Sequence, residues 1–408
     1  MVWFRVVRKR GTHSDGRLTA MRVLFTSVPQ VGHLFPMVPL AWAMRCAGDE
    51  VLVTTPAPGF TDRVSRTGLP VAVIGDATLR DYARVSVVDD AAAPLESGFA
   101  LSGRGWADLA LRSLPALRAL VSQYTPDLIV SEPAETAGRI VAAERGLPWL
   151  EHSWGLPAPP QFTAAADALV RERTGTPLAP PIARLHPSPP ALWPDATPPR
   201  GMAMRYVPYN GDSVRTALPP RAPGRRRALV TFGSLLVRHG STTTAEFFRK
   251  LLDELAGLGL ELVVGLDAEL VREFAPLPAE VVHTGWAPLS LTLPECDLVV
   301  HHGGSGTSMT AAVCGVPQLI VPQSTDQFTT AACLDRHGCA VTFTGPAATA
   351  ATIGEAAARM LADPRSAGRA ADLAARVRAL PGPAAVSRQI RGMCTAPKEG
   401  TQHDDNCR

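Results

Sequence analysis

Two short stretches concentrate the residues able to do chemistry. The first is His301-His302-Gly303-Gly304-Ser305-Gly306-Thr307, between apolar Asp297-Leu298-Val299-Val300 and Ser308-Met309-Thr310-Ala311-Ala312-Val313-Cys314. The flanks read as a strand and a helix. A glycine-rich turn at such a junction aims backbone N–H groups at one point, and the helix N-terminus adds partial positive charge there. Gly303, Gly304 and Gly306 let the backbone approach an anion closely, and the histidines add imidazole donors. A phosphate or diphosphate suits such a site. A plain strand–turn–helix corner would use the glycines for packing alone. Two histidines and two hydroxyl residues in one turn favour the anion.

The second stretch is Gln30-Val31-Gly32-His33, directly after the first apolar segment, Val23-Leu24-Phe25-Thr26-Ser27. A histidine at the carboxyl end of a strand, before a helix, can serve as a general base if a third group orients it. Glu132, ending a later strand-like segment, is a candidate orienter. It is equally a candidate helix N-terminal acid, because a helix is expected at 134–145. The residues alone leave both readings open.

The elements that must position these groups alternate in type. Residues 23–27 read as a strand, 31–34 as a loop, 36–47 as a helix, and 51–55 and 71–74 as strands. Leucines at helical spacing follow over 106–124, then a strand at 127–130, a helix at 134–145 and a strand at 149–152. A second series starts at Ala228-Leu229-Val230-Thr231-Phe232 and continues with a helix at 243–258 and strands at 261–264, 281–283, 298–301 and 318–321. Such alternation predicts an α/β fold with parallel sheets covered by helices on both faces. Between the series lie Tyr206-Val207-Pro208-Tyr209-Asn210-Gly211 and Pro219-Pro220-Arg221-Ala222-Pro223-Gly224, the composition of a linker. Two doubly wound domains facing across a cleft are expected, with ligands beyond the carboxyl ends of the strands. The boundaries read as a first domain at 21–205, a linker at 206–226, a second domain at 227–380 and a C-terminal helix at 381–394. Residues 1–20 read as a leader outside the fold, disordered or placed before the true start, and 395–408 as a disordered tail.

Composition narrows the classes. The chain has 408 residues, 46% hydrophobic and 19% charged, enough for two cored domains. A net charge of +3 gives no argument for nucleic acid or an anionic membrane. The seven cysteines are scattered without a CxxC, which suits reduced thiols in a cytoplasmic protein better than disulfides or a zinc site. No apolar run approaches the ~18 residues needed for a membrane span.

With both sites in view, the sequence resembles the family-one inverting glycosyltransferases of the GT-B fold. More narrowly, it resembles the actinobacterial enzymes that attach deoxysugars to polyketides and related antibiotics. The carrying motifs are Val31-Gly32-His33-Leu34-Phe35-Pro36-Met37-Val38-Pro39-Leu40-Ala41, Arg205-Tyr206-Val207-Pro208-Tyr209-Asn210-Gly211 and Thr231-Phe232-Gly233-Ser234. Gly285-Trp286-Ala287-Pro288-Leu289, the 301–307 turn and Val321-Pro322-Gln323-Ser324-Thr325-Asp326-Gln327 complete them. All six occur in the family's order, and the resemblance covers roughly residues 21–394.

The resemblance implies a role for each candidate. His33 is the base that deprotonates the acceptor hydroxyl, and Glu132 pairs with it where many relatives carry an aspartate. Ser234, His301, Gly303, Gly304, Ser305, Gly306 and Thr307 hold the donor diphosphate, with His301 at the contact position and His302 packing. Trp286 offers a flat face to the nucleobase, with simple core as its alternative. Asp326 and Gln327 reach the sugar, with a helix N-terminal acid as the alternative for Asp326. Gly48-Asp49-Glu50 departs from the family's Gly-His-Glu at a turn expected away from the cleft.

The implied reaction moves a deoxysugar from a nucleoside diphosphate, TDP or UDP, to an apolar aglycone such as a polyketide, with inversion at the anomeric carbon. No cofactor and no metal are expected, and Asp89-Asp90 reads as a solvated turn. A catalytically silent partner of another transferase, and a different GT-B sugar-nucleotide enzyme, are the competing readings. Both fit the retained His33 and glycine turn less well. The aglycone pocket is expected from first-domain loops, including 81–106 and Ser153-Trp154-Gly155-Leu156-Pro157. No nucleic-acid partner is expected, and a homodimer and a helper protein stay open.

Overall fold

A computed structural model describes residues 20–86, 95–194, 201–215, 218–233, 245–266, 268–273 and 275–395. The expected leader, the tail beyond Thr395, Asp89-Asp90 and Ser234 lie outside these residues. The described strands are β1 (Arg22–Thr26), β2 (Glu50–Thr55), β3 (Val71–Val73), β4 (Leu128–Ser131), β5 (Trp149–His152), β6 (Ala183–His186) and β7 (Gly201–Ala203) in the first half. The second half has β8 (Arg227–Thr231), β9 (Glu261–Val264), β10 (Val281–Thr284), β11 (Leu298–His301), β12 (Gln318–Ile320) and β13 (Ala340–Thr342).

These strands form two sheets, in the orders β3-β2-β1-β4-β5-β6-β7 and β10-β9-β8-β11-β12-β13. Every strand pairing is parallel. The α/β class with two doubly wound sheets is therefore observed. In each sheet the order reverses between the first and fourth strands, β1 beside β4 and β8 beside β11. A crevice opens at such switch points beyond the carboxyl ends. Register places Thr26 opposite Ser131 and Thr231 opposite His301, so the loops that follow begin side by side.

Both sheets are buried on two faces, which explains their near-continuous apolar runs. Val23, Phe25 and Val53 pack with Leu34, Met37 and Leu40 on one face of the first sheet, and Leu24 and Ile129 with Ala137 and Ile140 on the other. The helix Pro383–Thr395 returns to the first domain. Its Val386 and Ile390 join that first core, and Arg391 Nη2 reaches Asp49 Oδ1 at 2.6 Å. Asp49 also accepts the Met21 N–H, so the departure at Gly48-Asp49-Glu50 is a buried anchor for the C-terminal helix.

The structure corrects two segments and adds three strands. Residues 31–34, expected as a loop, form the helix Val31–Leu34, followed by a 3-10 turn at Phe35–Met37 and the helix Val38–Cys46. The prolines at 36 and 39 are tolerated because each falls in the first turn of its segment. The segment 81–106, expected as loop, is helical wherever described, in Leu79–Ser86 and Leu95–Tyr124. β6, β7 and β13 were not expected from the sequence. Each is three or four residues long, and their sequences Ala183-Arg184-Leu185-His186, Gly201-Met202-Ala203 and Ala340-Val341-Thr342 lack the continuous apolar run of the expected strands.

Candidate active site

The first half of the site is built where β1 and β4 end. Glu132 follows β4 and is 1% exposed. Its Oε1 accepts the Val28 N–H at 3.1 Å, and its Oε2 accepts the Ala134 N–H at 2.7 Å and the Trp154 Nε1–H at 2.9 Å. His33 Nδ1 lies 3.1 Å from the same Oε2. The adjacency of β1 and β4 brings the two residues together, and the helix Val31–Leu34 turns His33 toward the carboxylate. Burial alone would raise the Glu132 carboxyl. The neighbouring His33, its hydrogen bond and the two backbone N–H groups hold it below the ordinary range instead. An ionised Glu132 fixes the proton on His33 Nδ1 and leaves Nε2 as the acceptor.

The alternative for Glu132, helix N-terminal acid, is taken by its neighbour. Glu135 is the N-cap of the helix Thr136–Arg145 and accepts from Ala137 N and Gly138 N at 3.1 and 2.9 Å. Burial raises the Glu135 carboxyl, with a hydrogen bond from Thr26 opposing it.

Aromatic rings wall the imidazole. The Trp154 ring centroid lies 4.6 Å from that of His33, and the Trp106 centroid 5.3 Å. Both indoles belong to a buried cluster with Tyr82, Phe99 and Phe162. The sequence singled out the Trp154 segment as pocket, but not its hydrogen bond to Glu132, which joins residues 22 apart in the chain.

The second half lies where β8 and β11 end. Gly303 adopts φ +84, and Gly304 is the N-cap of the helix Ser305–Cys314. The N–H groups of Ser305, Gly306 and Thr307 are thus in the helix's first turn, where about half a positive charge is concentrated. The expectation for the two histidines is reversed. His301 is fully buried, its Nε2 2.9 Å from Gln318 Oε1 and its Nδ1 accepting the Gly303 N–H at 3.0 Å. Both ring nitrogens are occupied inside the domain, and burial pushes the imidazole down to about 3. His302 is the one that borders the turn. A Cβ at Gly304 would come within 2.5 Å of its Nε2, and one at Gly233 within 2.9 Å of its Cε1. The surrounding protein pushes His302 down to about 4, so it is a neutral donor or acceptor near pH 7. The sequence missed this because alternation along a short strand end does not reveal which of two adjacent side chains points inward.

Trp286 is 62% exposed, which rules out the core alternative. Its Nε1 donates to the Asp212 carbonyl at 3.2 Å, and the Asp212 carboxylate pairs with Arg66 at 2.8 Å. The linker thereby touches both domains beside the indole.

Asp326 and Gln327 open the helix Thr325–Arg336. Gln327 Oε1 accepts the Gln323 N–H at 2.9 Å and the Ser324 N–H at 3.2 Å, so its carbonyl is committed to a capping box. Gln327 thus caps the helix, and Asp326 also lies in its first turn, the place of the helix N-terminal acid. Burial raises the Asp326 carboxyl, opposed by the charge of His33, the backbone N–H groups of Asp326 and Gln327 and a hydrogen bond from Ser305. Asp326 thus bonds Ser305 at the start of the neighbouring helix and lies within electrostatic reach of His33. At the same junction a Cβ on Gly155 would come within 3.2 Å of Met309 Cγ and 3.3 Å of Ser305 Cβ.

The arrangement joins an oriented imidazole in an aromatic enclosure to a glycine turn at a helix N-terminus. No helix among the described residues is long and apolar enough to cross a membrane. Comparison with known proteins agrees with this architecture. Residues 110–233 match the family described as Erythromycin biosynthesis protein CIII-like, N-terminal domain, and residues 249–393 match its C-terminal domain. The L-demethylnoviosyl transferase of Streptomyces niveus is 41% identical over 76% of this chain and 82% of its own. The elloramycin glycosyltransferase ElmGT of Streptomyces olivaceus is 35% identical over 91% of this chain and 97% of its own. Among solved structures, the Streptomyces sp. SF2575 glycosyltransferase SsfS6, complexed with thymidine diphosphate, aligns with TM-score 0.76. It is 31% identical and covers 91% of this chain and 99% of that one.

Proposed function

The chain belongs to the EryCIII-like antibiotic glycosyltransferases, family-one enzymes of the GT-B fold, and from that premise we propose that it transfers a deoxysugar from a TDP-sugar to an apolar aglycone with inversion. Thymidine diphosphate bound to SsfS6 supports the choice of donor. The observation that carries the reading is the His33–Glu132 pair, held opposite a helix N-terminus across one cleft.

His33 donates from Nδ1 to Glu132, so Nε2 is free to accept the proton of the acceptor hydroxyl. The oxygen attacks the anomeric carbon as the bond to the diphosphate breaks, and the proton stays on the imidazole. Glu132 stabilises the imidazolium that forms, since the carboxylate is already ionised. Negative charge grows on the departing diphosphate. The first-turn N–H groups of the helix Ser305–Cys314 and the His302 ring stabilise it there with little reorganisation. Asp326, beside Ser305 and His33, is assigned to a sugar hydroxyl. Trp286, exposed and anchored by its ring N–H, is assigned to the nucleobase. Ser234 keeps its assignment to the diphosphate from the motif alone. Trp106 and Trp154 favour a flat, apolar aglycone.

Nuclear magnetic resonance of the product tests the stereochemistry. A donor of known anomeric configuration is expected to give a product of opposite configuration. Retention would refute the single-displacement scheme.

A further inference from the structure

Trp154 makes two contacts to the dyad at once. Its indole N–H donates to Glu132 Oε2 at 2.9 Å, the oxygen that faces His33 Nδ1, and its ring stacks obliquely on the His33 imidazole at 4.6 Å and 58°. Of the four groups donating to Glu132 among the described residues, two are backbone N–H groups and one is the base itself. Trp154 supplies the remaining side-chain donor.

We propose that Trp154 is a positioning residue for transfer: its indole N–H holds the Glu132 carboxylate in the rotamer that orients His33. The inference rests on the reading of His33 as base. A carboxylate on a flexible side chain rotates about its last bond, and Oε2 faces His33 only while other donors fix that rotation. The Ala134 N–H and the Trp154 indole N–H both end on Oε2 and together fix that rotation.

Trp154 is itself held. The Gly155 carbonyl next to it accepts the Ser188 hydroxyl at 2.8 Å, and Ser153 Oγ, on the other flank, lies 3.0 Å from His186 Nδ1. The turn is therefore fixed in the first domain by buried groups, and its Gly155 abuts Ser305 and Met309 of the second. One side chain thus locates both members of the base pair from a segment that also meets the anion-turn helix.

Paired substitutions separate the N–H from the ring's bulk. Trp154→Phe keeps an aromatic wall and removes the donor. Trp154→His keeps a ring N–H two bonds from Cγ, as in indole, and loses the bulk. Turnover with TDP-sugar and acceptor is expected to fall roughly 10- to 100-fold in Trp154→Phe and clearly less in Trp154→His, with KM for the sugar nucleotide unchanged in both. In a Glu132→Ala background, where the carboxylate is gone, Trp154→Phe should cost less than about 2-fold. A histidine variant as slow as the phenylalanine variant, or costs that multiply with Glu132→Ala, would overturn the proposal. Circular dichroism and thermal melts identify the folded variants, and Trp154→Met replaces Trp154→Phe in the cycle if the latter does not fold. His33→Ala in the same series distinguishes the two levels. If it is slow while the Trp154 and Glu132 costs multiply, the base stands and the positioning role falls. If it turns over like wild type, both fall.

Discussion

His33 Nδ1 lies 3.1 Å from Glu132 Oε2, although 99 residues separate them in the chain. The contact exists because β1 and β4 are neighbours at the point where the sheet reverses order, so that the loops after them converge. The proton transfer proposed for His33 depends on that adjacency.

The Glu132 carboxylate should make stability depend on pH in one direction. Its folded value is below the ordinary value, so folding favours the ionised form. That contribution is complete above the unfolded value, about 4.3, and is lost as pH falls through the lower folded value. The difference in Tm between wild type and Glu132→Gln is therefore expected to be largest near neutrality and to shrink on acidification. A difference that grows in acid would show the opposite shift.

The two adjacent histidines should behave differently. His301→Ala leaves the Gly303 N–H and Gln318 Oε1 without their partner inside the domain. A loss of about 1–3 kcal/mol of stability is expected. His302→Ala removes no such partner from Gly303 and should instead weaken nucleoside diphosphate binding. Denaturant melts and calorimetric titrations on both variants check this, and the reverse pattern would restore His301 to the anion.

Gly304→Val should abolish binding of the diphosphate in a protein that still folds. A Cβ there meets His302 Nε2 at 2.5 Å, so the substitution displaces the imidazole as well as blocking the anion's approach. Wild-type affinity in folded Gly304→Val would remove the turn from the donor site.

Asp326→Ala and Gln327→Ala separate sugar contact from helix capping. Loss of the Gln327 capping box should cost about 1 kcal/mol of stability. Loss of Asp326 should lower turnover and affinity for the sugar nucleotide while sparing affinity for bare TDP. Unchanged turnover in folded Asp326→Ala would remove it from the sugar.

The fold was readable because short apolar strands alternate with helices, a pattern that implies a parallel, doubly wound arrangement. Val23, Leu24 and Phe25, all buried in β1, carry that signal in three consecutive residues. The convergence of His33 and Glu132 was readable from topology. The rest was not, for local reasons. His301 and His302 are consecutive, and only register decides which faces Gln318. Gln327 turned out to cap its own helix because Ser324 falls three residues before it, a capping-box spacing that was present in the sequence. Trp154 reaches Glu132 through a loop whose path no periodicity encodes.

The central claim is that His33, oriented by Glu132, deprotonates an acceptor for transfer from a TDP-sugar. Its most direct test is acceptor-dependent TDP release, measured with wild type and His33→Ala at matched TDP affinity. Release that requires both sugar nucleotide and aglycone, and that falls roughly 10²- to 10⁴-fold in His33→Ala, is the predicted result. Acceptor-dependent release at an undiminished rate in folded His33→Ala would contradict it.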